Sequence, residues 1–242
     1  MKFRFLALVP AALVALALPA FAQTAATPAV GAEGTDHSKF VGHFAIGYLG
    51  TSQIPLGATA SATGGSFSGS VTAPAIGGRY WLNEKMGIDA GLGFAFATGS
   101  SEAKRGNTTT SNDAAAPFGV LLHGGVPLAL AQGKHYTFEV IPELNVGFAS
   151  QTIKGQNNAA DTTLSGFRLD LGARAGAEVH FGFIGVPELA LQGTVGLQFA
   201  TQSAKTANGD NSDSVSATGL STTVQAAPWA IFTNNISALY YF

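Results

Sequence analysis

Along most of the chain, apolar side chains recur at every second residue. Within 86–98, Met86, Ile88, Ala90, Leu92, Phe94 and Phe96 share one face, while Gly87, Asp89, Gly91, Gly93, Ala95 and Ala97 share the other. Successive strand residues point to opposite sides, so this period of two predicts β-strands with one oily face and one small or polar face. The same alternation runs through 136–148, 167–181 and 189–199. These runs match or exceed the roughly 9–11 residues that a tilted strand needs to cross a bilayer. Eight strands are predicted, at 40–50, 71–82, 86–99, 117–129, 135–150, 164–181, 187–202 and 229–242. Helical periodicity is absent, and glycine recurs through the apolar segments at a cost of roughly 1 kcal/mol per helix-interior position.

The joints between these strands alternate in length. Short ones surround Asn83-Glu84-Lys85, Gln132-Gly133-Lys134 and Gly185, whereas 51–70, 99–116, 151–163 and 203–228 are long and rich in Ser, Thr, Gly, Asn and Asp. Short turns at one end and long polar loops at the other are the connectivity of a membrane barrel. The charges agree. Arg79, Asp89, Glu139, Glu143, Arg168, Asp170, Arg174, Glu178 and Glu188 are the strand charges, and all fall on the face opposite the oily one. Lipid requires that arrangement, since an outward Arg or Lys near the midplane costs on the order of 2–4 kcal/mol. A water-soluble barrel would show the inverse. The expected fold is therefore all-β, a transmembrane antiparallel up-and-down barrel of eight strands. Ten strands are the alternative, because 203–242 is longer than one loop and one strand require and 215–225 could be a strand extension. Pro142, mid-strand in a closed barrel, predicts a bulge or local break.

The N-terminus adds an address. Lys2 and Arg4 precede an uncharged stretch, Phe5–Leu18, and then Ala20-Phe21-Ala22. This predicts a signal peptide over 1–22, cleaved after Ala22, followed by a flexible periplasmic tail over 23–39 and the barrel over 40–242. Composition narrows the classes further. Only 11% of residues are charged and 46% are hydrophobic, against roughly a quarter charged in soluble domains. A net charge of −2 offers nothing to nucleic acid. The absence of cysteine excludes disulfides, thiolate metal sites and a lipidated N-terminal Cys.

The C-terminal row Ile236, Ala238, Tyr240 and Phe242 ends on an aromatic residue with another two positions before it. With the signal peptide and the loop alternation, the chain resembles the bacterial outer-membrane β-barrel family. In size and connectivity it is similar to the eight-stranded OmpA/OmpX-like group. That resemblance implies residence in the cell outer membrane among lipids and lipopolysaccharide. It also implies that Tyr240 and Phe242 form the signal read transiently by the barrel-assembly machinery.

Function is expected from the interior and the loops. An eight-stranded bore is only wide enough to be filled by side chains, and buried charges must be paired. Arg79, Asp89, Glu139, Glu143, Arg168, Asp170, Arg174 and Glu178 are therefore expected to form an interior network. The expected pairings are Arg79 with Asp89, and Glu139 and Glu143 with Arg168 and Arg174. His43, His123 and His180 are expected to face inward at different heights, with neither a catalytic serine spacing nor a shared metal level. The aromatics Phe40, Tyr48, Tyr80, Tyr136, Phe148, Phe181, Tyr240 and Phe242 are expected to form outward girdles. No cofactor, metal or enzymatic activity is expected. The role expected is a monomeric, plugged barrel with a structural or surface-interaction (adhesion or recognition) function; the alternative is a narrow pore for small solutes or ions.

Overall fold

The computed structural model of the chain describes residues 34–61, 63–114, 116–155, 159–224 and 235–242. The expected signal peptide, with Ala20 and Ala22, lies outside the described residues. A short helix, α1 (Asp36–Lys39), precedes β1 (Phe44–Ser61), β2 (Gly64–Asn83), β3 (Met86–Phe96), β4 (Gly99–Arg105), β5 (Thr108–Ala114) and β6 (Ala116–Gly125). Then follow β7 (Leu128–Gln132), β8 (Tyr136–Ile153), β9 (Thr162–Phe181), β10 (Val186–Asn208), β11 (Asn211–Thr222) and β12 (Ile236–Tyr241). All ladders are antiparallel, and β1, β2, β3, β6 with β7, β8, β9, β10 and β12 close a ring of eight staves. The last stave returns to the first through Ala45↔Tyr241 and Tyr48↔Ala238. A closed ring leaves no unpaired edge, which is the condition for strands to sit in hydrocarbon.

The ring is inside-out. Ile76 (60% exposed), Leu92 (51%), Phe94 (61%), Leu144 (44%), Leu171 (60%) and Leu197 (56%) present their side chains outward. In contrast, Arg79, Asp89, Glu139, Glu143, Asp170, Arg174 and Glu178 are buried. Exposed charges such as Glu84, Lys85, Lys154 and Asp161 lie at turns and loops.

Three departures from the sequence reading have physical causes. First, 51–70 is not a loop. β1 and β2 continue as a paired hairpin to Ser61↔Gly64, bent at a register slip between Tyr48 and Gly50, where Gly50 takes φ +130°. Beyond this hinge the period of two is lost, and every residue from Ile54 to Ala58 is buried. The hairpin base leans across the lumen: Arg168 donates to the Gln53 carbonyl (2.9 Å) and the Ala58 N–H to Thr206 Oγ1 (2.8 Å). A Cβ on Gly166 would land on the Pro55 carbonyl oxygen, so only glycine permits this approach.

Second, Pro142 breaks its neighbour rather than its own strand. The β8–β9 register runs unbroken through Pro142↔Ala173. Opposite, the stave is interrupted between β6 and β7 at Val126-Pro127, with the Val126 N–H donating to the Pro142 carbonyl at 3.0 Å. The missing N–H of Pro142 points the same way as its carbonyl, toward that interruption.

Third, the surplus length of 203–242 becomes β11, which pairs with the far half of β10 from Leu197↔Thr222 to Asn208↔Asn211 and adds no stave. Residues 99–114 likewise form a separate two-stranded hairpin, β4–β5. The eight-stranded reading holds and the ten-stranded alternative does not.

Replacing Leu92 with Lys, outward on β3, is expected to lower folding stability by about 2–4 kcal/mol. Thr109→Lys, on the β4–β5 hairpin, should stay within about 0.5 kcal/mol. Urea unfolding of the protein in lipid vesicles measures both.

Candidate functional site

The lumen is stratified from the short-turn end upward, because each stave contributes every second residue to it. Arg79 on β2 occupies the lowest charged layer of the staves and is fully buried. Its Nε and Nη2 donate to both oxygens of Asp89 on the adjacent strand, each at 2.7 Å. This fork-to-fork geometry gives the guanidinium one fixed orientation. Its Nη1 reaches across the bore to Glu139 on β8 (3.2 Å) and to Glu178 on β9. Gln192 on β10 closes the circuit, donating to Glu139 Oε1 at 2.6 Å and accepting from Arg79 Nη2 at 3.4 Å. Tyr241 of the terminal stave donates to Glu178 Oε1 (2.7 Å) and accepts from Trp81 Nε1 (3.0 Å). One cation thus ties β2 to β3, β8, β9 and β10 across the lumen.

Below this layer, α1 packs at the short-turn end. Thr35 caps it, its Oγ1 accepting from the Ser38 N–H. Asp36 accepts from His135 Nδ1 (2.6 Å) and from Lys39 Nζ (2.8 Å). Burial works to raise the Asp36 carboxyl, but its bonds to His135 and Lys39 prevail and hold it below its ordinary 3.8. Burial pushes the His37 imidazole down from 6.5. This ring packs edge-on against Trp81, with centroids 4.4 Å apart. Phe40 stacks on Tyr241 and His180, at 4.7 and 5.3 Å. The expected flexible tail, 23–39, is therefore ordered from Asp36 onward. Phe40 is no girdle aromatic: at 6% exposed it fills the bore. Short turns and a Pro/Gly-rich approach hid this, because nothing local marks a segment that docks into a cavity built by distant strands.

Higher up, Arg174 on β9 pairs with Glu143 on β8 at 2.7 Å and donates to Thr194 Oγ1 at 3.1 Å. Arg168 does not meet Glu139 or Glu143; its Nε turns to Asp170, two residues along its own strand, at 2.8 Å. Glu139, expected opposite Arg168 or Arg174, belongs instead to the Arg79 layer. Glu188 is half-buried at a register slip between Val186 and Ala190. Of the histidines, His123 and His180 are buried at different levels, with His123 Nδ1 2.8 Å from Asn145 Oδ1. His43 does not face inward: it is exposed at the short-turn rim, where its Nδ1 meets the Phe242 carbonyl oxygen. Tyr240 and Phe242 point outward, 45% and 64% exposed. No cluster of three or more metal-ligating side chains occurs among the described residues.

Truncating one partner of a buried ion pair strands the others. Arg79→Met is therefore expected to cost about 3–5 kcal/mol in vesicle urea titrations. Adding Glu139→Gln should recover part of that loss, as a positive coupling in a double-mutant cycle. The lowered Asp36 value carries a sign: docking of α1 is supported fully above its ordinary 3.8 and lost as pH falls through the lowered value. Acidification through that range should lower the hydrogen-exchange protection factor at the Phe40 amide in wild type, with a much flatter profile in Asp36→Asn.

No family model matches this sequence, and no curated protein matches it. Among solved structures, the chain is similar to a major outer membrane protein from Thermus thermophilus. The two share 13% identity and a TM-score of 0.39 over 83% of this chain and 98% of that one, a likeness too loose to carry an argument.

Proposed function

We propose that this protein is an integral barrel of the bacterial outer membrane with a closed bore, serving as a structural or surface-interaction element. The short-turn end faces the periplasm and the long-loop end the exterior. The observation that carries the reading is the Arg79 layer, where side chains of five staves meet across the lumen and three carboxylates converge on one guanidinium. Beneath it α1 and Phe40 fill the remaining section. The oily outer belt, reaching Phe94 and Phe96 on β3 and Tyr240 and Phe242 at the C-terminal stave, supports contact with lipid and, at the exterior, lipopolysaccharide.

On this reading the protein is an exported monomer of the OmpA/OmpX-like kind, without enzymatic activity or cofactor. Tyr240 and Phe242 are offered to the barrel-assembly machinery during insertion. Recognition at the surface falls to the β1–β2 and β4–β5 hairpins and to the β10–β11 extension, whose tips are polar and exposed. A narrow pore is the rival, and it requires the Arg79 layer and α1 to yield. In planar bilayers at neutral pH the purified protein is expected to show no steady single-channel conductance. A steady open level would overturn the closed bore in favour of transport.

A further inference from the structure

Between the Arg79 layer and the hairpin that leans over the lumen lies a cavity of about 410 Å³. That volume falls within the roughly 300–1,000 Å³ of small-molecule sites. We propose that this cavity is a blind binding cup for a neutral, hydroxyl-rich solute of monosaccharide size. The inference rests on the closed-bore reading, since the cup is blind only if the Arg79 layer blocks the lumen below the Arg174–Glu143 pair that lines the cavity.

The chemistry of the wall selects the ligand class. Its two cations are already neutralised, Arg174 by Glu143 and Arg168 by Asp170. No bare guanidinium awaits an anion, and no bare carboxylate among these awaits a cation. What remains is unfilled hydrogen-bonding capacity. His123, only 8% exposed, lines the cavity, and its Nε2 has no partner. With Nδ1 donating to Asn145 Oδ1, Nε2 of the neutral ring is a bare acceptor that needs an incoming O–H or N–H. Ser52, on the hairpin side, also lines the cavity and holds a buried Oγ with no partner. A hydroxyl can donate or accept, and a solute hydroxyl, which has both roles, answers it in either sense. Gln198 and Gln202 of β10 add amides that donate and accept from the same wall. A polyol satisfies these groups together; a charged solute would have to break an ion pair or remain unpaired in the lumen. The apolar side chains Leu49 and Leu121 also line the cavity and suit the C–H face of a sugar ring.

The test uses the full chain in lipid nanodiscs, titrated with glucose and followed by NMR at the His123 imidazole and the Ser52 amide. Saturable shifts at both are expected, with none from glutamate or choline at equal concentration. Ser52→Ala should weaken glucose binding at least tenfold, and His123→Leu more than His123→Gln, which restores an acceptor. Heat-modifiable gel mobility verifies folding; should His123→Leu fail to fold, Ser52→Ala, which deletes one oxygen, decides. Unsaturable shifts, shifts indifferent to Ser52→Ala, or equal binding of the charged solutes would show a water-filled space and overturn the proposal. Bilayer conductance on the same preparation separates the two readings: a silent barrel without a glucose response sinks the cup alone, whereas an open level removes its floor.

Discussion

The structure depends on where charge can be placed when the outside of the protein is hydrocarbon. The ionised residues on the lipid-facing length of the staves turn into a narrow bore, so each needs a partner within the lumen. Arg79 meets that condition in its most concentrated form. One guanidinium with Asp89 beside it and Glu139 and Glu178 across the lumen clamps the ring at its base. Buried pairs of this kind are poor sources of net stability relative to apolar packing. Their consequence here is register: the fork on Asp89 is made only when Arg79 and Asp89 stand directly opposite in the β2–β3 ladder. A slip of one residue would turn a charged side chain into lipid.

The same constraint links the layers above and below. Because the Arg79 layer spans the bore, α1 meets a floor on which His37, Trp81, Phe40 and Tyr241 can stack. The upper pairs, Arg174 with Glu143 and Arg168 with Asp170, need not span the bore, and the space between them stays open. Past the bend at Gly50, Thr51, Ser52 and Gln53 of β1 line that space. A crossed base and a polar cavity above it thus follow from how the charge pairs divide between crossing the lumen and hugging one wall.

Much of this is legible in the chain. The alternation in β3, β8, β9 and β10 identifies the strands and their lipid face, because hydrocarbon tolerates no polar exception on the outward side. Alternating loop lengths supply the up-and-down order and the count of eight. The inward set Arg79, Asp89, Glu139, Glu143, Arg168, Asp170, Arg174 and Glu178 is readable from parity alone. Parity says nothing about which of these meet, and there the expected pairings differ from those formed. Glu139 crosses to Arg79, and Arg168 folds back on Asp170. Strand tilt and shear set the height of each side chain, and neither is written locally.

What the sequence determined by itself is the period of two: which residues face lipid, which face the bore, and how many times the chain crosses. The physical reason is that a two-sided solvent acts on every residue of a strand independently, so the pattern is local. Tertiary structure decided the rest. It folded 51–70 inward as a hairpin, ordered Asp36–Lys39 as a helix, drew Phe40 off the outer girdle, turned His43 to the rim and opened a break opposite Pro142. Each of these rests on a surface assembled from several distant strands, and such a surface exists only once the ring has closed.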